Sequence, residues 1–285
     1  MIHEYILQPE KFQKDYVVWD KSRPSSVQQE KFCQELAFSV EIEPNKAILN
    51  AYKVAYSTTG KSDEKMLSEG LKIASALKDY INFLKENDRR IMISHWDYKM
   101  LEKIKQNIQS HKLAYSIIQA SRTLRDHKDD VVFKNYHEFH INWEYYGELP
   151  IACKSLLDGL ILDFRNKKAI IYDLKTTQKL WHFEDSIDQY DYLRQLAYYT
   201  MAVEWYLVHE CNETPDTWEF EYYIIGISTT GDQEVRVFSI EPYAVQSRNT
   251  VIKNALLEIA WHQSTGKWDH SREYYEGNGS ESLNL

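Results

Sequence analysis

Two acids and a lysine interrupt two otherwise apolar runs, Lys154-Ser-Leu-Leu-Asp158-Gly-Leu-Ile-Leu-Asp163 and Ala169-Ile-Ile-Tyr-Asp173-Leu-Lys175-Thr-Thr177. Both runs have strand composition. The polar break Arg165-Asn166-Lys167-Lys168 reads as a turn that pairs them in a hairpin. Side chains alternate along a strand, so Asp173 and Lys175 share one face while Leu174 points to the other. An adjacent strand can bring Asp158 beside them. Carboxylates and an ammonium at the edge of an apolar sheet are costly unless their charges are met, and a divalent cation meets two carboxylates well. The ordinary alternative for Lys175 is a surface salt bridge to Asp173, contributing under ~1 kcal/mol.

The surrounding pattern predicts elements that can position these groups. Arg23-Pro-Ser-Ser26 reads as a turn into a helix near Val27. Apolar residues at 66, 67, 71, 73, 74, 77, 81 and 84, with Ser62 as N-cap, predict one long amphipathic helix over 62–85. A second helix is expected from about 94 to 109, then a shorter one ending near 122. Val131 to Tyr146 alternates as a strand, and the hairpin of 153–177 follows. A helix is expected over about 188–209, strands over 218–228 and 234–240 around the turn Thr229-Thr-Gly-Asp232, and a closing helix over 244–263. The expected organisation is a mainly helical N-terminal region over 1–93 packed on a core over 94–265, with a flexible acidic tail over 266–285. Within Tyr190-Asp-Tyr-Leu-Arg-Gln195-Leu-Ala-Tyr-Tyr199, Gln195 and Tyr199 stand four apart and share one helix face.

Leu157-Asp158, Asp173-Leu-Lys175 with its trailing Thr176-Thr177, and Gln195 with Tyr199 together resemble the PD-(D/E)xK nucleases. The resemblance is closest to their RecB-like and RecE-like (lambda-exonuclease-type) phage branch. It covers about residues 95 to 210, and the residue at the naming proline's position is Leu157. The resemblance implies an α/β (α+β) fold with a restriction-endonuclease-like core, a central mixed β-sheet flanked by helices. It implies phosphodiester hydrolysis with Mg²⁺ or Mn²⁺, one or two ions, held by Asp158, Asp173, the Leu174 backbone carbonyl and an acid from an earlier strand. Glu138 is the choice for that acid, with His140 and Glu144 on the same strand face as alternatives.

Lys175 would orient the attacking water and offset charge on the phosphorus. Gln195 and Tyr199 would line the cleft, with Tyr192 and Arg194 contacting DNA. The resemblance further implies an exonuclease on double-stranded DNA ends, a ring-shaped homo-oligomer, and a single-strand annealing partner in phage-type recombination or replication. A structure-specific or restriction-type endonuclease on the same core, and a non-catalytic DNA-binding scaffold, are the competing readings.

Composition narrows the classes further. The chain has 285 residues, 43% of them hydrophobic, enough for one large domain or a domain plus an appendage. No apolar run is long enough to span a bilayer, and Met1-Ile-His-Glu-Tyr-Ile lacks the character of an export signal, so a cytoplasmic protein with no membrane partner is expected. Cys33, Cys153 and Cys211 lie far apart, which argues against a disulfide framework and against a cysteine-ligated zinc or Fe-S cluster. A net charge of −9 is the wrong sign for coating nucleic acid, so DNA contact must come through a local basic patch or metal ions.

Overall fold

The computed structural model describes residues 1–119, 123–125, 131–147, 149–277 and 279. It opens with helices α1 (Ile2–Leu7) and α2 (Pro9–Asp15) and a short strand β1 (Tyr16–Val18). Helices α3 (Val27–Ala37), α4 (Pro44–Ala55), α5 (Asp63–Ala76) and α6 (Lys78–Lys85) follow, then strand β2 (Ile91–Ile93) and helices α7 (His95–Ser110) and α8 (Lys112–Ile118). Next come strands β3 (Thr123–Arg125), β4 (Val131–Tyr146), β5 (Pro150–Asp163) and β6 (Lys168–Thr177), and helices α9 (Phe183–Gln189) and α10 (Tyr192–Cys211). The chain continues with β7 (Glu219–Ser228), β8 (Val235–Ile240), α11 (Pro242–Gln246), α12 (Asn249–Thr265) and α13 (Arg272–Glu276). Two compact units result, one of Glu10–Lys99 and one of Met1–Pro9 with Met100–Leu285.

In the smaller unit the single helix expected over 62–85 is two helices. Ser62 caps the first, its hydroxyl accepting the Lys65 N–H at 3.4 Å. The backbone then leaves helical geometry at Leu77, with φ −110° and ψ 20°. The bend lets Leu77 and Ile81 join the buried cluster of Phe32, Tyr52 and Met66. Tertiary burial of that second stripe outweighs the continuity that local propensity alone favours. Strands β1 and β2 pair in parallel within this unit.

The larger unit carries a six-stranded sheet among the described residues, in the order β3-β4-β5-β6-β7-β8. All neighbours are antiparallel except β6 and β7, so the sheet is mixed, as expected. A parallel pair needs a crossover connection, and α9 and α10 supply it. On one face Leu160, Leu162, Ile171 and Ile224 pack with Leu196, Val203 and Leu207 of α10 and Leu256 of α12. On the other, Ile161, Tyr172, Leu174 and Ile225 pack with Leu7 of α1, Ile104 of α7 and Ile117 of α8. Strand β6 is therefore buried on both faces, which explains its nearly unbroken apolar sequence.

The remaining elements refine the expected boundaries. Helix α10 begins at Tyr192, behind Asp191, which adopts a left-handed backbone (φ 47°) and caps the Arg194 N–H at 3.3 Å. The closing helix expected over 244–263 is divided into α11 and α12. The region expected as a loose tail contains α13, whose Arg272 N–H donates to Glu258 at 2.7 Å; residues 278 and 280–285 lie outside the described residues. Among the described residues no helix is long and apolar enough to cross a membrane.

Two irregularities in the sheet prepare the site. Leu157 and Leu160 belong to one buried cluster although they stand three positions apart, and Phe139 and Tyr136 on β4, also three apart, both pack against that cluster. Strict alternation therefore breaks in both strands, at Glu138 and Asp158, which face one another between the pairs His137–Gly159 and Phe139–Leu157. Glu138 has φ 49°, a left-handed conformation that a non-glycine residue rarely adopts. The second irregularity is a fork: the β5–β6 ladder ends at Gly159–Tyr172, while β6 stays paired to β7 as far as Thr177.

Gly159 is required at the fork, because a Cβ there would stand 1.8 Å from the ring of the fully buried Tyr172. The Gly159→Ala variant is expected to lose roughly 3 kcal/mol of stability. Urea unfolding followed by circular dichroism checks it, and Gly159→Ala combined with Tyr172→Leu should recover part of the loss.

Candidate metal centre and active site

The fork between β5 and β6 brings the sequence-predicted residues together. Past Gly159 the Leu174 N–H has no β5 backbone carbonyl to meet, and the Asp158 side chain takes its place, Oδ2 accepting that N–H at 2.7 Å. Asp158 is 8% exposed and Asp173 2%. The neighbouring residue of β6 thus sets Asp173 beside a second buried carboxylate. Burial first, and then the negative charge of Asp158, push the Asp173 carboxyl up to about 6, against the attraction of Lys175 and His3.

Gln195 of α10 ties the charges together. Its Oε1 accepts from Lys175 Nζ at 3.0 Å, and its Nε2 donates to Asp173 Oδ1 at 3.2 Å and to the Tyr199 hydroxyl at 2.7 Å. Lys175 also forms an ion pair with Asp173 Oδ2. The bland surface salt bridge does not describe this pair, because the Lys175 side chain is only 19% exposed and Asp173 is buried. Tyr199 is pushed up to about 12, chiefly by burial, so its hydroxyl stays protonated at neutral pH. Tyr192 lies under the ammonium, with Lys175 Nζ 4.8 Å from its ring centroid. Arg194 takes no part in this cluster: its guanidinium pairs with Asp191 at 3.5 Å, and the side chain is 56% exposed.

The opposite side of the fork holds Glu138 and a residue that sequence reasoning missed, His3 of α1. Each of His3, Glu138 and Asp158 offers one ligand atom, and the three atoms lie within 4.8 Å of one another. Donors about 2.1 Å from an octahedrally bound ion stand roughly 3–4 Å apart, so the spacing suits one small divalent cation. His3 Nδ1 is 3.6 Å from Asp158 Oδ1. Its imidazole is raised above its usual range, chiefly by hydrogen bonding to Asp158, with smaller contributions from the charges of Asp173 and Glu138 and with burial opposing. An imidazole amid carboxylates is the donor set that a cation would exploit.

The alternatives for the third acid stand elsewhere. Glu144 accepts a hydrogen bond from Tyr146 at 2.5 Å, and His140 is exposed opposite Leu156. His3 carries no sequence signal beyond its residue type. It stands in a short helix, and nothing in its spacing ties it to residues far along the chain.

The raised Asp173 carboxyl makes a signed prediction for the metal-free protein. A carboxyl whose folded pKa lies above its unfolded value of 3.8 opposes folding once pH rises through the unfolded value, and the penalty is complete above the folded one. In EDTA at pH 8, Asp173→Asn is therefore expected to be more stable than the parent by roughly 2–3 kcal/mol. The difference should shrink as pH falls below about 6 and disappear below the unfolded carboxylate pKa of about 4. Thermal melting across pH reads it directly.

No family model matches the chain, and no curated protein matches it. One solved structure, described as "Putative exonuclease" from Eubacterium rectale, aligns with this chain at a TM-score of 0.41 and 12% identity, over 98% of this chain and 93% of that one.

Proposed function

We propose that this protein is a divalent-metal-dependent deoxyribonuclease that hydrolyses phosphodiester bonds at the ends of double-stranded DNA. The observation that carries the proposal is the fork in the sheet. There Asp158, Glu138 and His3 converge within 4.8 Å, and Lys175 is held beside buried Asp173 by Gln195. Metal donors adjoining a fixed ammonium suit attack on a phosphodiester.

Asp158, Glu138, His3 and Asp173 would hold the cation, with the Leu174 carbonyl as a further oxygen donor. When bound, the ion supplies charge neutralisation at the phosphate and a more acidic water. The chain's own groups do the rest. Gln195 accepts one Lys175 N–H and Asp173 engages another, and the third is what meets the attacking water or a phosphoryl oxygen. Because Gln195 also donates to Asp173, it fixes acid and ammonium at one spacing and lowers the cost of orienting Lys175 during reaction. Tyr199 anchors Gln195 from one turn further along α10.

The resemblance described above extends the proposal to end-directed cutting by a ring-shaped homo-oligomer in the cytoplasm, cooperating with a single-strand annealing protein in phage-type recombination. A ring with a basic lumen would reconcile DNA threading with a net charge of −9.

Incubation with Mg²⁺ and either linear or closed circular duplex DNA tests the activity. Digestion of the linear substrate alone is expected, with a loss of at least about a thousandfold in Lys175→Ala. Cutting of the circle would assign the site to an endonuclease, and absence of metal-dependent cutting in both would overturn the reading. Independently, His3→Ala and Glu138→Ala are each expected to weaken Mn²⁺ binding on the order of tenfold or more, measured calorimetrically without DNA.

A further inference from the structure

Helices α10 and α12 leave a groove beside the site. Asp191, Arg194, Gln195 and Tyr198 line one wall, spaced i, i+3, i+4, i+7 from the α10 cap onward, and Ile252, Ala255, Leu256 and Ile259 form an apolar stripe with the same spacing on α12. Two helices with that register normally close an apolar seam. Here the facing stripe is polar and aromatic, and a space of about 460 Å³ remains. Its floor is apolar, and Ile259 is 38% exposed.

The groove adjoins the candidate catalytic cluster. Gln195 lines it and also holds Lys175 and Asp173. From Lys175 an aromatic path runs outward, since Tyr192 lies under the ammonium and Tyr190 stacks on Tyr192 with centroids 5.8 Å apart. Tyr190 reaches the groove rim and is 60% exposed. At the same mouth Arg194 and Arg248 share the carboxylate of Asp191, at 3.5 and 3.0 Å.

We propose that this groove is a subsite for one unpaired nucleobase adjacent to the phosphate held at Lys175, so that the enzyme engages DNA whose terminal base is unstacked. The proposal rests on the nuclease reading and specifies its substrate. A nucleotide combines a flat ring with two π-faces and an anionic linker. The ring suits the apolar floor and the exposed Tyr190, and the linker suits the shared arginines. Base stacking on aromatic side chains is tolerant of sequence because every base has a π-face, so little sequence preference is expected. An amphipathic helix from another protein would also cover an apolar stripe, but it would not explain the paired arginines at the mouth or the aromatic path to the lysine.

The test uses the full chain in EDTA, where binding is read without turnover. Fluorescence anisotropy compares a short oligothymidylate with an abasic oligomer of the same length and charge. Wild type is expected to bind the oligothymidylate about tenfold more tightly, the increment that base stacking supplies. Ile259→Glu, which puts a charge on the floor, and Ala255→Trp, which fills the space without charge, should both abolish that preference while leaving the melting temperature unchanged. Equal binding of the two oligomers by wild type, or an undiminished preference in both variants, overturns the subsite. A base preference without any metal-dependent cutting would sustain the subsite and overturn the nuclease reading instead.

Discussion

The hydrogen bond from the Leu174 N–H to the Asp158 carboxylate holds the forked end of the sheet open. Strands cannot part inside a core without leaving backbone donors to satisfy, and an orphaned buried N–H costs about as much as a lost hydrogen bond. Where β5 leaves β6, the Asp158 side chain stands in for the missing backbone acceptor at 2.7 Å. The fork is thereby stabilised by the same carboxylate that gives it chemical potential. A substitution at Asp158 consequently removes a candidate ligand and a structural bond together, which makes its neighbours the cleaner probes of the site.

Negative charge accumulates as a consequence. Asp158 and Asp173 are nearly excluded from water, and Glu138 lies close by. Such a cluster persists only where cations and dipoles offset it. Lys175 supplies positive charge on one side, and the His3 imidazole approaches Asp158 from the other. Gln195 suits its position because a carboxamide has an acceptor end for the ammonium and a donor end for the carboxylate. A glutamate there would lose the donor, and a lysine would lose the acceptor. The left-handed backbone of Glu138 fits the same picture, since strain of order 1–3 kcal/mol is commonly retained where it aims a side chain.

Much of the site was legible because its signals are local. Alternation placed Asp173 and Lys175 on one side of a single strand, and helical spacing placed Gln195 and Tyr199 on one face of α10. Glu138 could be picked from strand β4 because the whole element was recognisable by its period, although the break in alternation that turns it toward Asp158 could not. His3 was invisible for a different reason: only the packing of α1 against the sheet brings it to Asp158, and no short-range pattern encodes that approach. Arg194 shows the converse, since proximity to Gln195 in sequence placed it near the site on the helix, yet its guanidinium is drawn to the capping carboxylate of Asp191. The division at Leu77 eluded propensity because the residues on both sides form helix equally well, and only burial in the cluster decides the bend.

Glu138 and Asp158 face one another on consecutive strands, but His3 joins them from the first helix, far away in the chain, and the β6–β7 pairing beside them is parallel. Contacts of such long sequence separation incur their loop-closure entropy before they return any stabilisation, so they belong to the late stages of folding. Local helices and hairpins can form well before these donors meet. A partly folded chain therefore lacks the converged donors, which are assembled only once the native topology is complete.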